Sequence, residues 1–262
     1  GGHFFGVDHP RHAELVFEHA EARRPELRPE GHRDLAACAE RHPALIREVH
    51  ERGHELGCHG YAHRTIYSMD RAEFREDLRL ARRAIEDAAG VAVAGYRAPT
   101  CSVVQSTLWA LDILAEEGFR YDSSIFPIHH DRYGIPTAPR FPYRIPLSAG
   151  GEIVEFPMST VRVAAQNLPF AGGGYFRLAP YPLIRAGLRR VNRREGRPVM
   201  VYLHPWEIDP DQPRMPVRGL TSFRHYVGLA RTAQKLDRLL SDFTFGPAAT
   251  VLRDQGMIEV AA

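Results

Sequence analysis

The chain has 262 residues, 44% of them hydrophobic, enough to bury a large core, and α/β barrels of this length often form one domain. Lys plus Arg number 34 and Asp plus Glu 32, a formal charge of +2, which is too balanced to call for nucleic acid or an anionic membrane as an obligatory partner. Cys38, Cys58 and Cys101 match neither a zinc ribbon nor a disulfide framework, and no apolar run reaches the roughly 20 residues of a transmembrane helix. A cytoplasmic location fits these features. The start at Gly1-Gly2, without an initiator methionine, leaves an export signal open.

Residues 11–24 suit a helix that Pro25 and Pro29 end, and the polar stretch up to Asp34 is compositionally unlike the rest of the chain. Over residues 34–53 apolar positions recur at helical spacing, interrupted by Pro43; residues 54–60 then read as a buried strand ending in a polar turn. Residues 70–89 place Phe74, Leu78, Ala81 and Ile85 on one face of a charged helix that stops at Gly90, before strand residues 91–96. Ser106 is placed to cap a third helix that runs to Gly118, and residues 119–121 re-enter the sheet. The Pro-, Gly- and aromatic-rich residues 127–180 read as ordered loops with one strand at 152–156. A helix at 181–194 precedes the apolar strand 198–203, which leads directly to His204, and helical stretches at 222–231 and 232–242 come after it. Helix and strand alternate at least three times, which predicts a parallel α/β sheet, open or closed into a barrel.

Fourteen histidines in 262 positions give roughly 0.7 pairs at i, i+4 spacing by chance, and the chain has two. His50 and His54 lie in and just after a charged run and read as a solvated helix face. His59 and His63 follow a strand-like run and enclose Gly60 at a strand end, where α/β folds place binding loops. Their imidazoles suit a divalent metal such as Zn²⁺, with further positions left for a carboxylate and water. Arg97, in Tyr96-Arg97-Ala98-Pro99-Thr100, stands at another strand end before a proline. His204, in Tyr202-Leu203-His204-Pro205-Trp206, stands at a third, beside an aromatic wall, where an imidazole can protonate a leaving group. Asp122 follows a strand-like run and either binds substrate or caps a turn. Cys58 and Cys101 adjoin these segments but read as small buried side chains.

The order of segments resembles the polysaccharide deacetylases of the carbohydrate-esterase, NodB-like type, and within them a bacterial subgroup tied to exopolysaccharide production and exosortase systems. The resemblance rests on Gly53-His54-Glu55-Leu56-Gly57 leading into His59–His63, on Gly95-Tyr96-Arg97-Ala98-Pro99, on Tyr121-Asp122-Ser123-Ser124-Ile125, on Gly172-Gly173-Gly174-Tyr175-Phe176, and on Leu203-His204-Pro205-Trp206-Glu207. It implies a distorted (β/α) barrel that removes acetyl groups from an N-acetylated polysaccharide or oligosaccharide. By the same resemblance His59 and His63 are metal ligands, His204 is the catalytic acid, and Arg97 orients the catalytic carboxylate. The backbone near Thr100 belongs to the oxyanion region, and Leu203 and Trp206 enclose the acetyl methyl.

The resemblance also implies an N-terminal strand bearing acidic residues for metal and base. The nearest counterpart is the run Phe4-Phe5-Gly6-Val7-Asp8-His9, with Asp8 as its only acidic residue. Residues 1–38 are therefore read as an atypical segment, from a truncated or frame-shifted reading of an ordinary member, and residues 39–262 as the deacetylase domain with a C-terminal helical extension. Two other readings stand beside the enzyme: a catalytically impaired carbohydrate-binding protein of the same fold, and a metal-dependent hydrolase of small amides on a related barrel.

Overall fold

A computed structural model describes residues 35–214, 216 and 219–259, together with the backbone of residues 13–17. The predicted break at Pro43 separates α1 (Leu35–Arg41) from α2 (Pro43–Glu51), with the proline in the first turn, where a missing N–H costs nothing. α3 (Arg71–Ala89) is the longest helix among the described residues. The Asp70 side chain accepts from the Ala72 and Glu73 amides, Glu73 reaches back to the Asp70 amide at 2.9 Å, and Gly90 ends the helix at φ 74°. Its Phe74, Leu78, Ala81 and Ile85 are fully buried against α1, α2 and the following helix α4 (Trp109–Glu116). α4 starts later than Ser106 suggests, because a 3-10 turn over Gln105–Thr107 precedes it.

The main sheet has four strands. β2 (Gly95–Tyr96), β3 (Tyr121–Asp122) and β5 (Glu152–Glu155) run parallel side by side, and β4 (Tyr143–Pro146) lies antiparallel on the outer edge of β5. The strand expected over residues 54–60 contracts to a single parallel bridge from Cys58 to Tyr96. Gly95 is required here, since a Cβ would lie 2.2 Å from the Tyr121 ring. One register results: Cys58, Tyr96, Asp122 and Glu155 end adjacent strands at the same edge, and the chain turns into loops directly after each.

β6 (Thr160–Val163) and β7 (Gln166–Pro169) form a hairpin inside the stretch read as loops, and α5 (Gly173–Leu178) follows it. α6 (Tyr181–Arg189) leads to β8 (Val199–Leu203), which is buried as its apolar run predicts. β8 pairs in parallel with β1 (Ala13–Phe17), so the helix expected over residues 11–24 is a strand in its first part. The Leu15-Val16-Phe17 run favours a strand once a partner exists, and pairing overrides local helical spacing. Gly172 bridges Tyr202, and its Cβ would fall 2.3 Å from that ring. α7 (Gly219–Tyr226) and α8 (Leu229–Asp242) meet at Gly228, and α9 (Ala248–Asp254) closes the described chain.

The architecture is mixed α/β. The ladders among the described residues form sheets of four, two and two strands, which do not close a barrel. One apolar core lies between the main sheet and α1–α4, a second packs α6 and α8 on β8, and a third, around Phe126, Phe156 and Met200, joins them. At the opposite end of the sheet, Glu55 accepts from the Tyr121 hydroxyl and the Ala249 amide, both at 2.8 Å, and burial pushes its carboxyl above the ordinary range. No helix among the described residues is long and apolar enough to cross a membrane.

Candidate active site

The loop after Cys58 carries both histidines. His59 is buried and its Nδ1 lies 2.7 Å from the Arg97 carbonyl oxygen. A carbonyl only accepts, so Nδ1 carries the proton and donates, which puts the lone pair of the neutral ring on Nε2, the atom that could ligate a metal. The His63 ring lies edge-on to His59 with centroids 5.1 Å apart. Between them Gly60 takes φ 85°, and the Tyr61 and Ala62 amides both donate to Asp77, at 2.8 and 2.9 Å. By contrast His54, read as a solvated position, is buried, because the chain has already turned inward toward the sheet.

Arg97 is buried at the next strand end. Its Nε donates to the Ser123 carbonyl at 2.9 Å and Nη2 to the Ser123 hydroxyl at 2.7 Å, binding the third strand end to the second. Asp122 is fully buried: Ser124 donates to it, and it hydrogen-bonds with Glu155 on β5, also fully buried. Burial pushes both carboxyls up, Glu155 farthest because Asp122 adds its charge, while Arg97 pulls both back. Each carboxyl is thereby held toward its protonated form. Asp122 thus faces the interior of the sheet edge, and the substrate contact considered for it has no exposed atom to make it.

Thr100 is exposed at φ 58°, and Cys101 follows at φ 50°; with His63 at φ 51°, three of the five non-glycine residues with positive φ among the described residues lie in these loops. Such strain of about 1–3 kcal/mol per residue persists where the surroundings fix the backbone, a pattern concentrated at functional sites. Cys101 belongs to the core of Phe126, Phe156 and Met200, against which Tyr133, Tyr175 and Tyr202 also pack, and Tyr133 hydrogen-bonds with Tyr175. Cys101, next to Thr100, and Met200 and Tyr202 of β8 thus border one apolar core.

At the end of β8, His204 Nδ1 lies 2.7 Å from Glu207 Oε1, and the His204 amide donates to the same oxygen at 3.1 Å. Glu207 Oε2 takes the Arg177 Nε–H at 2.7 Å, in an ion pair whose side chains are 4% and 0% exposed. Arg177 Nη1 donates onward to the His225 and Val227 carbonyls, and its guanidinium lies 4.9 Å from the Trp206 ring centroid. Trp206 stacks between His204, at 5.5 Å, and His225, at 4.5 Å. Glu207 thereby fixes the ring orientation of a partly exposed His204. Leu203 is fully buried beneath it, whereas Trp206 keeps part of its surface.

Asp8 lies outside the described residues, and among those described no group of three or more His, Cys, Asp or Glu converges as a metal cluster. His59 and His63 fit two positions of a zinc-like sphere by donor chemistry and by the fixed tautomer of His59. Sequence reading missed Asp77, Glu155, Arg177 and Glu207. Asp77 carried a signal, an acidic residue on the apolar stripe of α3 beside Phe74 and Leu78, and so did Glu207, three residues after His204. Arg177 and Glu155 stand in segments read as loop and strand, and no spacing pointed to their partners.

Residues 34–121 match the polysaccharide deacetylase family and residues 123–253 match a domain of unknown function, DUF3473. Comparison with curated proteins gives no match. Among solved structures, a protein assigned as a polysaccharide deacetylase from Mycobacterium smegmatis is similar at 23% identity and a TM-score of 0.52, over 87% of this chain and 72% of that one. Puue allantoinase is similar at 20% identity and a TM-score of 0.53, over 87% and 67%. A protein assigned as a polysaccharide deacetylase from Pseudomonas aeruginosa PAO1 is similar at 20% identity and a TM-score of 0.51, over 86% and 68%. At these identities the likeness is one of fold, and it agrees with the mixed α/β architecture. The DUF3473 match alone spans half of the 262 residues, so the chain belongs to the DUF3473 family, joined here to a polysaccharide deacetylase domain of the NodB-like kind.

Proposed function

We propose that this chain is a metal-dependent hydrolase that removes N-acetyl groups from a bacterial exopolysaccharide, its catalytic domain spanning residues 39–262. The observation that carries this reading is the pair of oriented imidazoles: His59, held through Nδ1 by the Arg97 carbonyl, and His204, held through Nδ1 by Glu207. Each presents Nε2, one suited to a metal and the other to proton transfer.

His59 and His63 would hold the metal, Zn²⁺ by ligand preference, with Asp8 the sequence's candidate for the carboxylate ligand. A bound divalent ion would polarise the amide carbonyl and acidify water. His204 Nε2–H delivers a proton to the departing amine, and the Glu207 carboxylate balances the charge on the ring before transfer. Arg97 orients the carboxylate that serves as base, the backbone at Thr100 faces the developing oxyanion, and Trp206 walls the acetyl methyl, while the fully buried Leu203 supports that wall from beneath rather than touching substrate.

The test combines metal analysis with acetate release from N-acetylglucosamine oligomers. Metal lost in His59→Ala and His63→Ala, and acetate release abolished in His204→Ala with the fold intact, would support the reading. Sugar binding without acetate release would replace it by a carbohydrate-binding protein, and turnover of small amides alone by a small-amide hydrolase.

A further inference from the structure

The most tightly organised feature of the histidine loop is a residue outside it. Asp77 stands on α3 among Phe74, Leu78 and Ala81, a stripe that is otherwise apolar, and is 9% exposed. A carboxylate there is costly to bury unless its oxygens are satisfied. Oδ2 takes the Tyr61 amide at 2.8 Å and Oδ1 the Ala62 amide at 2.9 Å. These are two of the three residues separating His59 from His63. The third, Gly60, fits the same carboxylate in another way: a Cβ there would lie 2.9 Å from Asp77 Oδ2, and φ 85° disfavours any side chain. Consecutive N–H groups wrapped around one anion form a small nest, and its closure fixes the turn that carries both imidazoles.

We propose that Asp77 is the positioning residue of the His59–His63 loop: by gripping the Tyr61 and Ala62 amides it sets the spacing and direction of the two imidazoles toward a divalent metal. The inference rests on the metal-binding reading above and adds to it the residue that organises the ligands. A merely structural role would stabilise α3 or the core. The grip is aimed instead at two loop amides, and α3 has its own caps at Asp70 and Gly90, so the helix does not depend on it.

Amide exchange on the metal-free protein tests the grip without reference to metal or activity. Asp77→Asn keeps the size but offers one acceptor and one N–H₂ to two donors. We expect Tyr61 and Ala62 to exchange at least about tenfold faster, with α3 amides unchanged. Gly60→Ala perturbs the same contact from the loop side and gives a second variant should Asp77→Asn fold poorly. Cobalt(II) titration followed by absorption then tests the link to the ligands, with an expected loss of about 10–100-fold in affinity, the usual range for residues that hold metal ligands. Unchanged exchange in both variants overturns the assignment. So does wild-type cobalt affinity in Asp77→Asn when binding depends on His59 and His63. Cobalt binding indifferent to His59→Ala and His63→Ala sinks the metal reading instead, and exchange alone then judges Asp77.

Discussion

Replacing Glu207 by Gln should expose how strongly the end of β8 depends on one carboxylate. Both oxygens are engaged: Oε1 takes the His204 ring and amide, and Oε2 takes Arg177 at 2.7 Å. An amide in that place has one acceptor and one N–H₂, so in either orientation a donor faces a donor. Removing one partner of a buried ion pair costs about 3–5 kcal/mol, chiefly because the other charge is stranded. Arg177 keeps the His225 and Val227 carbonyls and the Trp206 face, so the lower end applies, about 3 kcal/mol. For a chain of this size each kcal/mol moves the melting midpoint by roughly 2–4 °C, which gives a fall of about 6–12 °C. Urea unfolding measures the free energy, and the double variant Arg177→Met, Glu207→Leu, which removes both charges, should recover at least half of the loss. A loss below about 1 kcal/mol for Glu207→Gln, or a double variant as unstable as the sum of the two single ones, would refute the reasoning.

The Asp122–Glu155 pair makes a pH prediction. A carboxyl whose folded pKa is raised holds its proton where the unfolded chain has released it, so its contribution is full below the ordinary value of 4.5 and is lost as pH climbs through the folded value. Glu155→Gln removes the titrating carboxyl, and urea midpoints between about pH 5 and pH 8 should fall less with rising pH than in the parent; an unchanged slope refutes it. Lys235 donates to the Phe176, Arg177 and Ala179 carbonyls at 3.1, 2.7 and 2.8 Å, so Lys235→Met should cost about 1.5–3 kcal/mol in chemical denaturation by releasing the end of α5 from α8. Gly95→Ala drives a methyl into the Tyr121 ring and should destabilise by more than about 2 kcal/mol, measured the same way, with the larger loss expected if Tyr121 also releases Glu55.

Where residue pattern and physics coincide, the sequence was readable. The stripe Phe74–Leu78–Ala81–Ile85 and the stop at Gly90 define α3 because burial and the left-handed cap each leave a mark in residue type. The continuous apolar run of β8 led to His204, and Gly60 with its flanking histidines stood out at a strand end. The residues that orient those histidines were hidden. Arg97 acts on His59 through its backbone carbonyl, which any residue type could supply. Glu155 is an acidic residue with no exposure, against the ordinary placement of its type, and its partner Asp122 sits on a neighbouring strand far away in sequence. β4, β6 and β7 are four residues each, too short for alternation to register, and β1 became a strand only through its pairing with β8. The motif order gave the family resemblance, which the deacetylase match over residues 34–121 supports.

The tie between Glu55 and α9 bears on assembly. Its two ends lie 194 positions apart, so the carboxylate beneath the first strand end waits for Ala249 before its second oxygen is satisfied. Ala248, Val251 and Leu252 enter the same core as Phe156 and Met200 at that moment. Contacts of such separation form late, because the intervening loop must be closed before they contribute. All strands of the main sheet precede α9 in the chain, so until α9 docks Glu55 lacks its Ala249 donor and the apolar side chains that α9 covers are uncovered. Uncovered apolar surface favours association between chains, and the docking of α9 removes it.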